Sequence, residues 1–314
     1  MSEKLKPSKQ YHSPDMDLST FIQMPVSAQL ARILPIPLFR AYIYSLGMIY
    51  YTLHPDKRAA MSNALDQFFV DNGRNGQRLK NPGIRSYQGV LDHYYEKLVN
   101  AYRPLDEILN YLDANVSIEN PVWADEIKTG TRGALFISGH FGAVEYLPLF
   151  FTIRGFKPSI IMRSKTHGLH RILTEKSKYV DLQLIDASGK NVILKAIKAI
   201  NRGRTLITLG DEFKHWLPTP GKTIELFGDI VPRDRTLNLL YRLTKAPTYF
   251  GLMRREKRKF HLHLSKVGDG VQKVDVSYRS WKILKKYIGR YPDQWYQWQE
   301  VATGLADYKL KMKE

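Results

Sequence analysis

The 314-residue chain contains no cysteine, which excludes disulfides, a thiolate nucleophile and any zinc or iron-sulfur site with cysteine ligands. It also lacks an uninterrupted run of the roughly 18 apolar residues that a bilayer-spanning helix needs. Its most apolar region, Ser27 to Leu53, is interrupted by Arg32 and Arg40 and broken at Pro35 and Pro37. Two short apolar helices with basic flecks are expected there, suited either to an interfacial anchor or to packing on a domain. Acidic residues are scarce: 30 Asp and Glu against 48 Lys and Arg leave a formal charge of +18. A field of that sign favours nucleic acid, an anionic membrane face or an acidic carrier protein. The opening MSEKLKPSKQYHSPDMDLS is polar and basic with no apolar core. It does not have the form of a secretory signal, and residues 1–26 are expected to be a mobile basic tail.

What is present divides the chain into two textures. Residues 27–114 carry helical patterns: HPDKRAAMSNALDQFF opens with proline and an acid in its first turn, and IRSYQGVLDHYYEKLVNAY spaces Val90, Tyr94, Leu98 and Tyr102 along one face. A Gly- and Asn-rich loop, DNGRNGQRLKNPG, separates them. In residues 115–314, the short β-rich runs GALFISG, PSIIMR, LQLID, TLITLGD, IELFG, APTYFGLM and KFHLHLSKV alternate in several places with amphipathic segments. That pattern predicts an α/β domain, a central mixed and mostly parallel sheet flanked by helices, carrying the helical region as an N-terminal appendage. A last helix, YRSWKILKKYIGRYP, precedes the aromatic segment DQWYQWQE.

The segment LFISGHFGAVEYLPLFF, from Leu135 to Phe151, places His140 and Glu145 in an otherwise apolar context. Taken alone, the two fit an incidental pair at the end of a core strand as well as a functional one. Their setting favours function: His140 stands where a strand gives way to a helix beginning near Gly142, and ligands bind at the carboxyl ends of strands in open α/β sheets. Glu145, in the first turn, is expected to fold back on the imidazole and fix its tautomer, leaving the other ring nitrogen to take a proton. Gly139 and Gly142 permit a tight turn. With no serine or cysteine nucleophile beside it, the pair points to general-base activation of a substrate hydroxyl and direct transfer. His167, His170 and His215 have no metal spacing, and His261 and His263 share one strand face; neither a metal nor a cofactor is expected.

GALFISGHFGAVEYLP resembles the His-x4-acid motif of the glycerolipid acyltransferase superfamily, and its His-Phe-Gly-x-x-Glu form is similar to the lipid A biosynthesis acyltransferases that add late lauroyl or myristoyl chains. KPSIIMR, LKAIKAINRGRTLITLGDEF, IELFGDIVPRDRTLNLLYRLTKAPTYFGLMRR and IGRYPDQWYQWQE resemble successive segments of the same family, the last its closing helix, so the likeness runs from about Ala28 to Gln299. It implies His140 as the base, Glu145 as its orienter, and attack of a lipid hydroxyl on an acyl thioester. Backbone N–H groups at Phe141, Gly142 and Ala143, or the Arg163 guanidinium, are the candidate oxyanion donors, and Arg163 is also a candidate phosphate ligand. Asp211, where the family has Asp-Gln, and Glu212 are expected either to contact substrate or to hold the cleft loops. Two positions depart from the family: Ala143 and Val144 replace its usual Asn-Trp, and Glu212 its Gln. The implied partners are acyl carrier protein or acyl-CoA as donor, a lipid acceptor and an anionic membrane surface, with peripheral or monotopic attachment at the cytoplasmic face of the cell inner membrane. The rival classes are a noncatalytic lipid or carrier-protein binding module and nucleic-acid binding. For the latter no recognised module is present, and no nucleic acid is expected.

Overall fold

The computed structural model describes residues 17–71, 82–163, 166–226 and 228–301. Residues 1–16 of the expected tail, most of the Gly- and Asn-rich loop and residues 302–314 lie outside them; residues 17–26 are not a free tail but helical at Leu18–Ile22 and again from Pro25, with Leu18 and Ile22 buried.

Among the described residues six helices come first: α1 (Leu18–Ile22), α2 (Pro25–Ile33), α3 (Ile36–Leu53), α4 (Pro55–Asp71), α5 (Pro82–Tyr102) and α6 (Leu105–Asn115). Their starts follow local rules. Asp17 accepts from the Thr20 N–H at 2.7 Å to cap α1, and α2, α4 and α5 each open on a proline, whose missing N–H would have no helical partner there. Pro35 and Pro37 end α2 and start α3, as the sequence predicts. Helix α3 is held on α5 by Asp92, which accepts from Arg40 and Tyr44, each at 2.8 Å. Among the described residues no helix is long and apolar enough to cross a membrane.

The remainder forms β1 (Val116–Ile118), α7 (Pro121–Thr129), β2 (Ala134–Ser138), α8 (Leu147–Ile153), β3 (Pro158–Met162), α9 (His167–Ser177), β4 (Gln183–Asp186), α10 (Val192–Asn201), β5 (Thr205–Leu209), β6 (Pro218–Leu226), β7 (Asp229–Asp234), α11 (Thr236–Thr244), β8 (Thr248–Glu256), β9 (Lys259–Gly268) and α12 (Val276–Arg290). Seven strands make one sheet in the order β1-β9-β8-β2-β5-β3-β4. Its neighbours are parallel except the β8–β9 hairpin. This is the mostly parallel α/β sheet that the alternating pattern predicts. Strand β2 is its centre and is buried along its whole length, as a strand covered on both faces must be. IELFG does not join this sheet: β6 pairs antiparallel with β7 in a separate two-stranded ribbon. Strand β6 is exposed along its middle, and in β7 only Val231 and Asp234, three apart, are buried, so no apolar alternation marked the second strand.

Two topological facts place the site. The chain leaving β2 runs to β3 and β4, returns to β5 beside β2, and then crosses to β8 on the other flank. The strand order therefore reverses around β2, and the carboxyl ends of β2 and β5 border the crevice so formed. Helix α5 also joins the helical region to this crevice. Its Glu96 is buried and accepts from Arg255 of β8 at 2.5 and 2.7 Å, while the same guanidinium donates to the Gly142 carbonyl at 2.6 Å.

Candidate active site

The register of β2 on β5 pairs Ser138 with Leu209. His140 and Asp211 each lie two residues further on, and the chain brings them together just past the sheet edge. The Asp211 carboxylate is fully buried and accepts three hydrogen bonds. His140 donates through its backbone N–H at 2.7 Å and through Nδ1 at 2.8 Å, and Trp295 donates through Nε1 at 2.8 Å. A buried carboxylate needs such donors to offset its lost hydration. Because a carboxylate only accepts, the proton of the neutral imidazole sits on Nδ1 and Nε2 is left with its lone pair. Gln297 Nε2 lies 2.8 Å from the same Nδ1; the amide turned with its oxygen toward the ring is the orientation both groups can share. Burial alone would lower the imidazole pKa, but the Asp211 charge and hydrogen bond, with Glu212 and Glu145 nearby, outweigh it and raise the pKa above its ordinary value. Nε2 faces Glu212, whose Oε1 is 3.8 Å away.

The turn after β2 is shaped by close backbone approach. Gly142 has φ of +57°, and a Cβ there would run into the Met253 carbonyl. A Cβ on Gly139 would stand 3.1 Å from Asp211 Oδ2.

Glu145 does not take the place expected for it. A short 3-10 turn, Val144–Tyr146, precedes α8 and directs the carboxylate toward α5, 3.2 Å from His93 Nδ1 and 3.9 Å from Lys97 Nζ. The ring nitrogen it was expected to hold belongs to Asp211. Phe141 and Gly142 are also not open to a ligand: the Phe141 side chain is buried, and the N–H groups of Phe141, Gly142 and Ala143 donate to the carbonyls of Gly139, Gln294 and Met253. Arg163 is exposed at the end of β3 and does line the cleft. His215 also lines it, while His170 is exposed on α9. His261 and His263 lie on β9 at the far flank of the sheet, paired with Glu256 and Glu119.

His140 stands where two cavities meet. One, about 180 Å³, is mainly apolar and runs beneath the strand ends between Leu149, Ile160, Leu173, Leu182, Leu184 and Ile207. Lys176 also lines it, but its ammonium caps the end of α5 at the Asn100 and Arg103 carbonyls, and burial brings its pKa down to about 8. The other, about 540 Å³, is more polar and includes Asp17, Lys57, His215, Gln297 and Glu300. The two share His93, Lys97, His140, Arg163 and Glu212. His140 is thus within reach of an apolar tail on one side and a polar group on the other.

Sequence reasoning missed Trp295, Gln297, His93 and Lys97. The DQWYQWQE segment is not helical throughout: a 3-10 turn at Pro292–Gln294 leads into a stretch that bridges Phe141 through Trp295, and the Tyr296 N–H donates to the His140 carbonyl at 3.2 Å. Amides alternating with tryptophans were the available signal, since both are costly to bury without a partner. His93 and Lys97, four apart, mark one face of α5, but periodicity does not say what that face meets.

No family model and no curated protein matches the chain. Among solved structures it is similar to the crystal structure of the 1-acyl-sn-glycerophosphate (LPA) acyltransferase, PlsC, from Thermotoga maritima. The identity is 15% and the TM-score 0.36, with 79% of this chain and 99% of that chain covered.

Proposed function

We propose that the protein is an acyltransferase that moves a fatty acyl chain from an acyl thioester to a hydroxyl of a lipid acceptor. The observation that carries this reading is His140, held through Nδ1 by Asp211 with Nε2 turned away from that carboxylate, at the junction of an apolar and a polar cavity. The acyl tail occupies the apolar cavity and the acceptor headgroup the polar one. Nε2 takes the acceptor's proton as its oxygen attacks the thioester carbonyl, then returns that proton to the departing thiolate. A positioned base of this kind contributes about 10² to 10⁴ in rate. Asp211 rather than Glu145 orients the ring. Arg163 is exposed at the cavity mouth and suits a phosphate of donor or acceptor.

The finer identity rests on the motif resemblance, which favours a lipid A precursor as acceptor and acyl carrier protein or acyl-CoA as donor. Membrane association is part of the proposal. Ile33, Leu38, Ile49 and Leu53 of α2 and α3 are each more than half exposed, and the exposed Arg32 stands beside Ile33. An apolar face with a basic neighbour suits an anionic surface, where such a cation adds roughly 1 kcal/mol. The test is transfer by the purified protein from radiolabelled lauroyl-acyl carrier protein, or lauroyl-CoA, into an added total lipid extract. Label in a lipid product with the natural protein, and none with His140→Ala, is the expected result. Equal labelling by both would reject the reading.

A further inference from the structure

An alkoxide attacking a thioester puts negative charge on the carbonyl oxygen, and that charge needs a donor already in place. The three N–H groups after His140 are spent on the Gly139, Gln294 and Met253 carbonyls. The donor has to come from elsewhere in the cleft wall, and two cations line both cavities: Arg163 and Lys97. Arg163 is exposed and has no carboxylate partner among the described residues. Lys97 is different. Its side chain is 18% exposed and lies beside Glu145, which is itself tethered because Asn100 of the same helix donates to the Glu145 carbonyl at 3.0 Å. His93, on the other side of that carboxylate, does not compete for it as a cation. Burial, with Lys97, His140 and Arg255 nearby, keeps its pKa well below the ordinary value, and its Nδ1 makes no hydrogen bond.

We infer that Lys97 is the oxyanion donor of the acyl-transfer site and that Glu145 is the positioning residue that holds it there. The inference rests on the acyl-transfer reading above. As the acceptor oxygen bonds to the carbonyl carbon and His140 takes its proton, the C=O π pair moves onto oxygen opposite the Lys97 ammonium. When the carbonyl re-forms, the C–S bond breaks and the thiolate receives the proton from His140. A cation held by a carboxylate in a partly dry cleft needs little rearrangement to meet that charge. The arrangement also gives the acid of the His-x4-Glu segment a task other than orienting its own histidine.

Four variants test this: Lys97→Met, Lys97→Arg, Glu145→Gln and His140→Ala, in the full chain. Lys97→Met is expected to lower kcat about 10²- to 10³-fold and to leave KM for the acyl donor within about twofold, with Lys97→Arg recovering part of the loss. Affinity for a dodecylphosphonate monoester, whose phosphoryl oxygens carry the charge of the tetrahedral intermediate, should fall with kcat, while affinity for a dodecyl pantetheine thioether should not. Glu145→Gln should cost about tenfold in the natural background and nothing further on top of Lys97→Met, because neighbours acting through one another are not additive. If Lys97→Met lowers the melting temperature, Lys97→Gln makes the same comparison. Full transfer by Lys97→Met while His140→Ala is inactive overturns the inference alone. Full transfer by His140→Ala overturns the acyl-transfer reading with it.

Discussion

The turn after β2 and the turn after β5 are neighbours at the sheet edge, and each carries a carboxylate, but they are built in opposite ways. The β5 turn buries Asp211 completely and spends its oxygens on His140 and Trp295. The β2 turn leaves Glu145 partly open, 22% exposed, beside His93 and Lys97. Its own backbone is held from outside, by Met253, Gln294 and Arg255. The histidine thus comes from one turn and its orienting acid from the other. Closeness in sequence favoured Glu145, whereas strand register favours Asp211, and the register decides because it fixes where both residues leave the sheet.

The comparison can be broken from the β5 side first. Asp211→Asn keeps the shape but takes away the acceptor that fixes the tautomer; kcat for acyl transfer is expected to fall by about 10³ to 10⁴, the scale on which a triad aspartate acts. Loss no greater than that of Glu145→Gln would show the two carboxylates to be equivalent. From the β2 side, Glu96→Ala strips the buried Arg255 of its partner and loosens its hold on the Gly142 carbonyl. A buried charge left without its partner costs about 3–5 kcal/mol, so the melting temperature should drop by several degrees. The smallest effect is a matter of pH. The base must be neutral, and its pKa is raised, so kcat/KM should climb with pH through a midpoint above the ordinary histidine value of about 6.5. It should then level off. With Asp211→Asn, burial is left to act with less opposition, and the residual activity should show its midpoint at lower pH.

Much of this was legible in the chain. The β-rich runs at 133–139, 158–163, 182–186, 205–211 and 246–253 each hold a strand of the main sheet, because near-continuous apolar residues are what a doubly covered sheet requires. The Pro35 and Pro37 break and the position of His140 at a strand end follow from equally local rules. Asp211 is another matter. It was marked as a strand-end acid, but its bond to His140 spans 71 residues and depends on β2 and β5 being neighbours, which no local pattern states. Trp295 and Gln297 are hidden for the same reason, as is the direction in which His93 and Lys97 point. Strand β7 went unseen because its two buried residues, Val231 and Asp234, stand three apart around Pro232, which is not the alternation that marks a strand.

The most direct test is a nitrogen-15 NMR titration of the His140 imidazole in the natural protein, Asp211→Asn and Glu145→Gln. It needs no knowledge of the acceptor. Expected in the natural protein is a proton on Nδ1, an unprotonated Nε2 at high pH and a pKa above the ordinary histidine value. Asp211→Asn should lower that pKa and disturb the tautomer, and Glu145→Gln should leave the tautomer in place. The reverse pattern, with the tautomer lost in Glu145→Gln and kept in Asp211→Asn, would contradict the pairing of His140 with Asp211 on which the proposed site is built.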